Sequence, residues 1–142
     1  MTFKLTQKPK AEYRVQLGEG SDHILIIHYD EFTILGQTKS AFKEINKAMA
    51  EFEAVETGID NTLSVEEKAV IISDAVTNLE SKISDVYSKL FGKPAYDALV
   101  DFYDDNILRL ISETKELVLD FTNKAGEYST EAYKENIAKY TE

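Results

Sequence analysis

The chain has 142 residues, 43% hydrophobic and 30% charged, a composition typical of a globular domain. Its 16 basic and 26 acidic residues give a formal net charge of −10, which argues against direct binding to nucleic acid or to an anionic membrane surface. The absence of cysteine excludes disulfides, thiolate catalysis and cysteine-bound zinc. Because we find neither a leader pattern nor a membrane-spanning apolar run, we expect a single cytoplasmic domain over residues 1–142.

Residues 1–37 have the pattern of β structure. Residues 12–17 alternate polar and apolar side chains, the period of a half-buried strand, and residues 23–29 form a β-branched run. The turn-forming segment between them, 18–22, predicts an N-terminal β-hairpin or small antiparallel sheet. Residues 32–35 either extend the second strand or form a short third one, and residues 3–5 are candidates for pairing at an edge. A lone hairpin is marginal in water, so this sheet requires a covering helix.

Residues 64–92 contain the strongest helical signal. Apolar residues recur there at steps of four and three, the spacing of one helix face: Val65, Ala69, Ile72, Val76, Leu79, Ile83, Val86 and Leu90. Ser64 and Glu67 fit a capping box at the start, and Gly92 followed by Pro94 marks the end. Charges of opposite sign flank this apolar seam. It is expected to pack within the bundle, with pairing of part of it to another protomer or client helix as the open alternative.

Two shorter helices are predicted on either side of this one. The first runs from about residue 38 to 56 and ends at the turn formers of 57–61. Its apolar face comprises Ala41, Phe42, Ile45, Ala48, Met49, Phe52 and Val55. The later helix starts with Pro94 in its first turn, where a missing N–H is harmless. Its inner side is predicted to comprise Ala95, Ala98, Leu99, Phe102 and Tyr103.

The last predicted helix runs from about residue 107 to 128. Residues 104–106 either stop the preceding helix and cap this one or produce a small bend. The apolar stripe comprises Ile107, Leu110, Ile111, Thr114, Leu117, Val118, Phe121 and Ala125, and Gly126 is expected to mark fraying. Residues 129–142 form a polar tail, expected to be loose in the free protein, with ordering on a partner as the alternative. The fold class is therefore α+β, mainly α, with a β portion (1–37) and a bundle of about four helices (38–128).

Signals for catalysis are weak. His23 and His28 are five residues apart on a predicted strand, so they face opposite sides and cannot share a metal ion. Asp101, Asp104 and Asp105 can share a helical face, but the glycine and distal glutamate of a calcium loop are absent, which favours a solvated helix end. No glycine-flanked serine resembles a nucleophile elbow. We therefore predict that the protein is not an enzyme and has no cofactor or metal.

The segment 87–106, YSKLFGKPAYDALVDFYDDN, carries a resemblance to a known family. The order of elements resembles that of small tail assembly chaperones or tail-region proteins of siphophages and prophages of Gram-positive bacteria. A long amphipathic helix is followed by a Phe-Gly connection, a second helix, an acidic break and a further helix. The resemblance covers about residues 63–121. It implies a non-enzymatic protein that shields the long, aggregation-prone tape-measure protein through transient apolar contacts, helps recruit tail-tube subunits and often self-associates.

The family supplies no catalytic residue for this chain. Partner-binding residues are instead assigned from expected exposure, among the aromatic side chains around Gly92: Tyr87, Phe91, Tyr96, Phe102 and Tyr103. The alternative function is an acidic inhibitor or adaptor acting on a basic host protein, including a mimic of nucleic-acid charge. That alternative requires carboxylates along one face and an affinity that falls steeply with salt.

Overall fold

The computed structural model describes residues 2–5, 11–19, 23–30 and 33–141. Within these ranges the chain forms two strands and four helices: β1 (Ala11–Gln16), β2 (Ile24–Tyr29), α1 (Ile34–Thr57), α2 (Val65–Phe91), α3 (Lys93–Phe102) and α4 (Ile107–Thr141). The predicted α+β, mainly α class is confirmed. The central residues of the predicted hairpin turn, 20–22, lie outside the described residues.

β1 and β2 form an antiparallel sheet in which Tyr13 lies opposite Ile27. Alternation places Ile27 and Tyr29 against the helices, where they are buried, and Glu12 and Arg14 on the outer face. The expected pairing of residues 3–5 is wrong, because these residues are not in a strand and their side chains are exposed. The helices therefore cover one face of a two-stranded sheet, as the marginal stability of a hairpin requires.

α1 begins four residues earlier than predicted. The backbone N–H groups of Thr33 and Ile34 both donate to the carbonyl oxygen of Asp30, at 3.3 and 3.1 Å, so the chain turns directly after β2. Residues 34 and 35 are therefore helical, which contradicts their assignment to a strand; Phe32 lies outside the described residues. Ile34 is fully buried, and this burial gives a β-branched residue a place in a helix despite its modest helix propensity.

α2 has the predicted ends. Ser64 Oγ accepts the backbone N–H of Glu67 at 3.1 Å and donates to the Glu67 carboxylate, which closes the first turn. Gly92 has φ +88°, a conformation that L side chains rarely adopt. The predicted burial holds for the second half of the seam only. Val65 is 83% exposed and Ala69 is also exposed, because this half of α2 lies beyond the residues that cover Leu79 to Leu90.

α3 and α4 are separated by a break and not by a bend. Asp104 and Asp105 have φ +53° and +60°, and the Asn106 side chain caps α4 by accepting the N–H of Arg109 at 3.1 Å. Phe102, predicted on the inner side of α3, is exposed. The α4 stripe is buried as predicted at Ile107, Leu110, Ile111, Thr114, Val118 and Phe121. α4 continues past Gly126 to Thr141, so helix replaces the expected loose tail through residue 141.

Candidate protein-binding groove

An apolar groove of about 610 Å³ runs between α1 and α4. One wall is a face of α1 and the other is the adjacent face of α4, with Tyr87 of α2 below them. The lining comprises Phe42, Ile45, Asn46, Met49, Ala50, Glu53, Tyr87, Ile111, Lys115, Val118 and Leu119. Most of this surface is aliphatic or aromatic, and the exceptions are the polar Asn46 and the charged Glu53 and Lys115.

The α1 wall follows from how α1 packs on α2. The buried line of α1 contains the small residues Ala41 and Ala48 beside Phe52, and small side chains allow close approach of two helices. Phe42, Ile45 and Met49 lie beside this line and are only half-buried, although the sequence predicted them in the core. They contact the core with one side and leave the other side uncovered.

The α4 wall combines buried and exposed apolar residues. Ile111 and Val118 are 2% and 3% exposed and belong to the core stripe. Leu119, one residue beyond that stripe, is 53% exposed. Sequence analysis did not single out Leu119, although its position next to Val118 widens the apolar face by one helix position. That widening is the sequence signal for this wall.

The floor of the groove contains no unpaired hydroxyl. Tyr87 is 1% exposed, and its hydroxyl lies 2.8 Å from Thr114 Oγ1. Thr114 Oγ1 in turn donates to the carbonyl oxygen of Leu110 at 2.6 Å, so the Tyr87 hydroxyl is the donor in the pair. Burial raises the pKa of Tyr87, so the phenol remains neutral at physiological pH. A neutral, satisfied floor favours an apolar occupant.

Three of the predicted partner-binding residues are core residues. Tyr87, Phe91 and Tyr96 are between 1% and 7% exposed, which contradicts the exposure on which their assignment depended. The Tyr87 ring meets the Phe91 ring at 5.6 Å and the Tyr96 ring at 6.0 Å between centroids, both edge-to-face. These rings hold the end of α2 to α3, and of the three only Tyr87 lines the groove.

The other two predicted residues lie where α3 ends. Phe102 is 45% exposed, Tyr103 is half-buried, and their rings meet at 5.0 Å. Burial, followed by the nearby Glu113 carboxylate, raises the pKa of Tyr103. Neither residue lines the groove, so the structure does not gather the five predicted residues at one surface.

The residues considered for chemistry do not converge. His28 is on the outer face of the sheet opposite Glu12, and His23 lies before β2. Within the described part of the chain, no three histidine or acidic side chains are close enough to hold a metal ion. A further cavity of about 450 Å³ between α2, α3 and α4 is lined by mixed polar and apolar residues, among them Ser84, Tyr96 and Asn106.

None of the models of known protein families matches this chain, and neither a curated protein nor a solved structure is similar to it. Across the described ranges, no helix is both long and apolar enough to cross a membrane.

Proposed function

We propose that this protein is a non-enzymatic, protein-binding phage or prophage protein, a tail assembly chaperone acting in the cytoplasm of the bacterial host. Its client is an amphipathic helix of a long helical protein of the tape-measure type, which it shields by binding the helix's apolar face. The observation that carries this proposal is the α1–α4 groove, an open apolar surface in an otherwise strongly acidic protein.

The dimensions of the groove suit a helix. Its α1 wall extends from Phe42 to Glu53, which at 1.5 Å per residue corresponds to about 16 Å, or about three helical turns. A client helix would place apolar residues at i, i+3 or i+4 and i+7 along this length. Met49 adds a flexible, polarizable side chain to the wall, which lets the groove accept several client sequences.

The net charge supports the same role. The excess of acidic over basic residues gives a charge of −10, so complexes with the client repel one another and stay in solution. The groove itself has one acidic and one basic side chain, Glu53 and Lys115. Binding is thus expected to depend on apolar contact more than on charge.

The test is co-purification with a tape-measure-type protein from the native host, followed by affinity measurement with helical fragments of that protein. Leu119→Asp places a charge in the groove wall and should weaken binding about 10-fold to 100-fold, the effect of losing one buried leucine contact. Leu108→Asp is the matched control, because Leu108 is 41% exposed on the same helix and does not line the groove.

Two results would contradict the proposal. One is the absence of a complex with the helical fragments, and the other is equal binding by the two aspartate variants. A complex whose affinity is unchanged by Leu119→Asp but falls steeply as the salt concentration rises would instead favour the acidic inhibitor or adaptor.

A further inference from the structure

At Glu12 and Arg14, the outer edge of β1 has no strand partner in the part of the chain that the structure describes. The sheet there has two strands, and β2 is the one that lies against α2 and α3. The inward-facing side chains differ accordingly: Ile27 and Tyr29 of β2 are buried, whereas Tyr13 and Val15 of β1 are only half-buried. An unpaired edge presents a row of backbone donors and acceptors to another strand.

The hydrogen-bonding phase of β1 determines which residues face this edge. The N–H of Leu17 donates to the carbonyl oxygen of His23 at 3.1 Å, and this pair continues the register in which Tyr13 lies opposite Ile27. Hydrogen-bonded and non-hydrogen-bonded positions alternate along an antiparallel pair. Odd-numbered residues of β1 therefore bond to β2, and the backbone N–H and C=O groups of Glu12 and Arg14 point outward.

We propose that this edge pairs with the β1 edge of a second copy of the chain, antiparallel and with Tyr13 on the two-fold axis. In this register Glu12 of each copy lies opposite Arg14 of the other, at the outward-pointing backbone positions. The β1 strands of the two copies become the central strands of a four-stranded sheet, with β2 of each copy at its edges. The surface is separate from the α1–α4 groove, so this inference stands or falls independently of the proposed function.

Charge selects this register over its neighbours. Glu12 and Arg14 already lie on one face of the strand, with 3.6 Å between their charged groups and more than 40% of each side chain exposed. Sliding the second copy by two residues in either direction places Arg14 opposite Arg14 or Glu12 opposite Glu12. Like charges directly opposite are destabilising, and opposite charges are stabilising. Centring on Tyr13 is the arrangement that gives two opposite-charge pairs.

The test is sedimentation of the full chain from about 10 μM to 1 mM. An interface formed by one pair of short strands is small, so we expect weak association. Arg14→Glu and Glu12→Arg should each weaken self-association about tenfold, since each single change makes both cross-strand pairs like-charged. An equimolar mixture of the two variants should associate, because its heterodimer restores opposite charges. The double variant Glu12→Arg/Arg14→Glu should also recover self-association.

Matched controls carry the same changes of charge elsewhere. Lys93→Glu and Glu56→Arg alter exposed residues outside the sheet and should leave association unchanged. The parent chain has no cysteine, so disulfide trapping can report the register. A mixture of Glu12→Cys and Arg14→Cys chains should form a disulfide-linked heterodimer, whereas Glu12→Cys with Gln16→Cys should not.

A parent chain that stays monomeric throughout this range would overturn the inference. So would single charge variants that associate as tightly as the parent, or a mixture of them that fails to associate. Equal trapping of the Glu12→Cys and Gln16→Cys mixture would overturn the register.

Discussion

Phe121 joins the sheet to the helices in one core, and its replacement by alanine is the sharpest test of the fold. The side chain is fully buried. Its ring meets those of Tyr13, Tyr29 and Phe91 edge-to-face, at 5.1, 5.5 and 5.2 Å between centroids. Since these partners belong to β1, β2 and the end of α2, Phe121→Ala removes a contact from each element at once.

The expected loss is about 5 kcal/mol. Truncating a buried phenylalanine to alanine costs about 3–5 kcal/mol through lost transfer energy and the cavity left behind. Edge-to-face aromatic pairs add about 0.5–1.5 kcal/mol each, but they overlap with the burial contribution and do not sum fully. A domain of this size has about 5–15 kcal/mol of stability, so Phe121→Ala removes a large share of it.

Urea unfolding followed by circular dichroism measures this loss. With a slope of about 2 kcal/mol per molar urea, the midpoint should fall by about 2.5 M. Phe102→Ala is the matched control, because Phe102 is 45% exposed and its truncation should lower the free energy of unfolding by less than about 1 kcal/mol. Equal midpoints for the two variants would refute the placement of Phe121 at the centre of the core.

Three further outcomes are expected. Ser64→Ala should lower the free energy of unfolding by about 1 kcal/mol in thermal melts, because it removes the acceptor for the Glu67 N–H. Gly92→Ala should lower it by about 1–3 kcal/mol through backbone strain at φ +88°, since the added Cβ would lie 4.0 Å from the nearest side-chain atom and would not clash. Burial, then hydrogen bonding to Asp120, raises the pKa of Tyr13, so the fold holds the neutral phenol. The contribution of Tyr13 to stability should therefore be constant below about pH 10 and fall as pH rises further, and Tyr13→Phe should reduce that fall in alkaline titrations.

The parts of the fold that local sequence determines could be predicted. The ends of α2 depend on Ser64, Glu67 and Gly92, whose effects act within one helical turn. The buried stripe of α4 follows from the 3.6-residue period and needs no knowledge of what covers it. Strand alternation likewise placed the faces of β1, whereas the β-branched run of β2 did not distinguish its two faces.

The features that could not be predicted depend on tertiary contacts between different helices and strands. The exposure of Val65 is set by the reach of the covering helices, which the period of α2 does not encode. The start of α1 at Ile34 depends on the burial of this residue in the core, which overrides the β preference of a β-branched residue. Composition alone does not separate a core aromatic such as Tyr96 from an accessible one such as Phe102, because core packing and partner binding use the same residue types.

Because only the second half of α2 is covered by the core, one continuous helix should have two levels of protection against amide hydrogen exchange. Amide hydrogens near residues 65–72, where the side chains are exposed or half-buried, are expected to exchange with solvent through local fraying. Those near Leu79 to Phe91, beneath the core, are expected to exchange only when the whole domain opens. The helix with the most regular sequence pattern is thus expected to contain both rapidly and slowly exchanging amides.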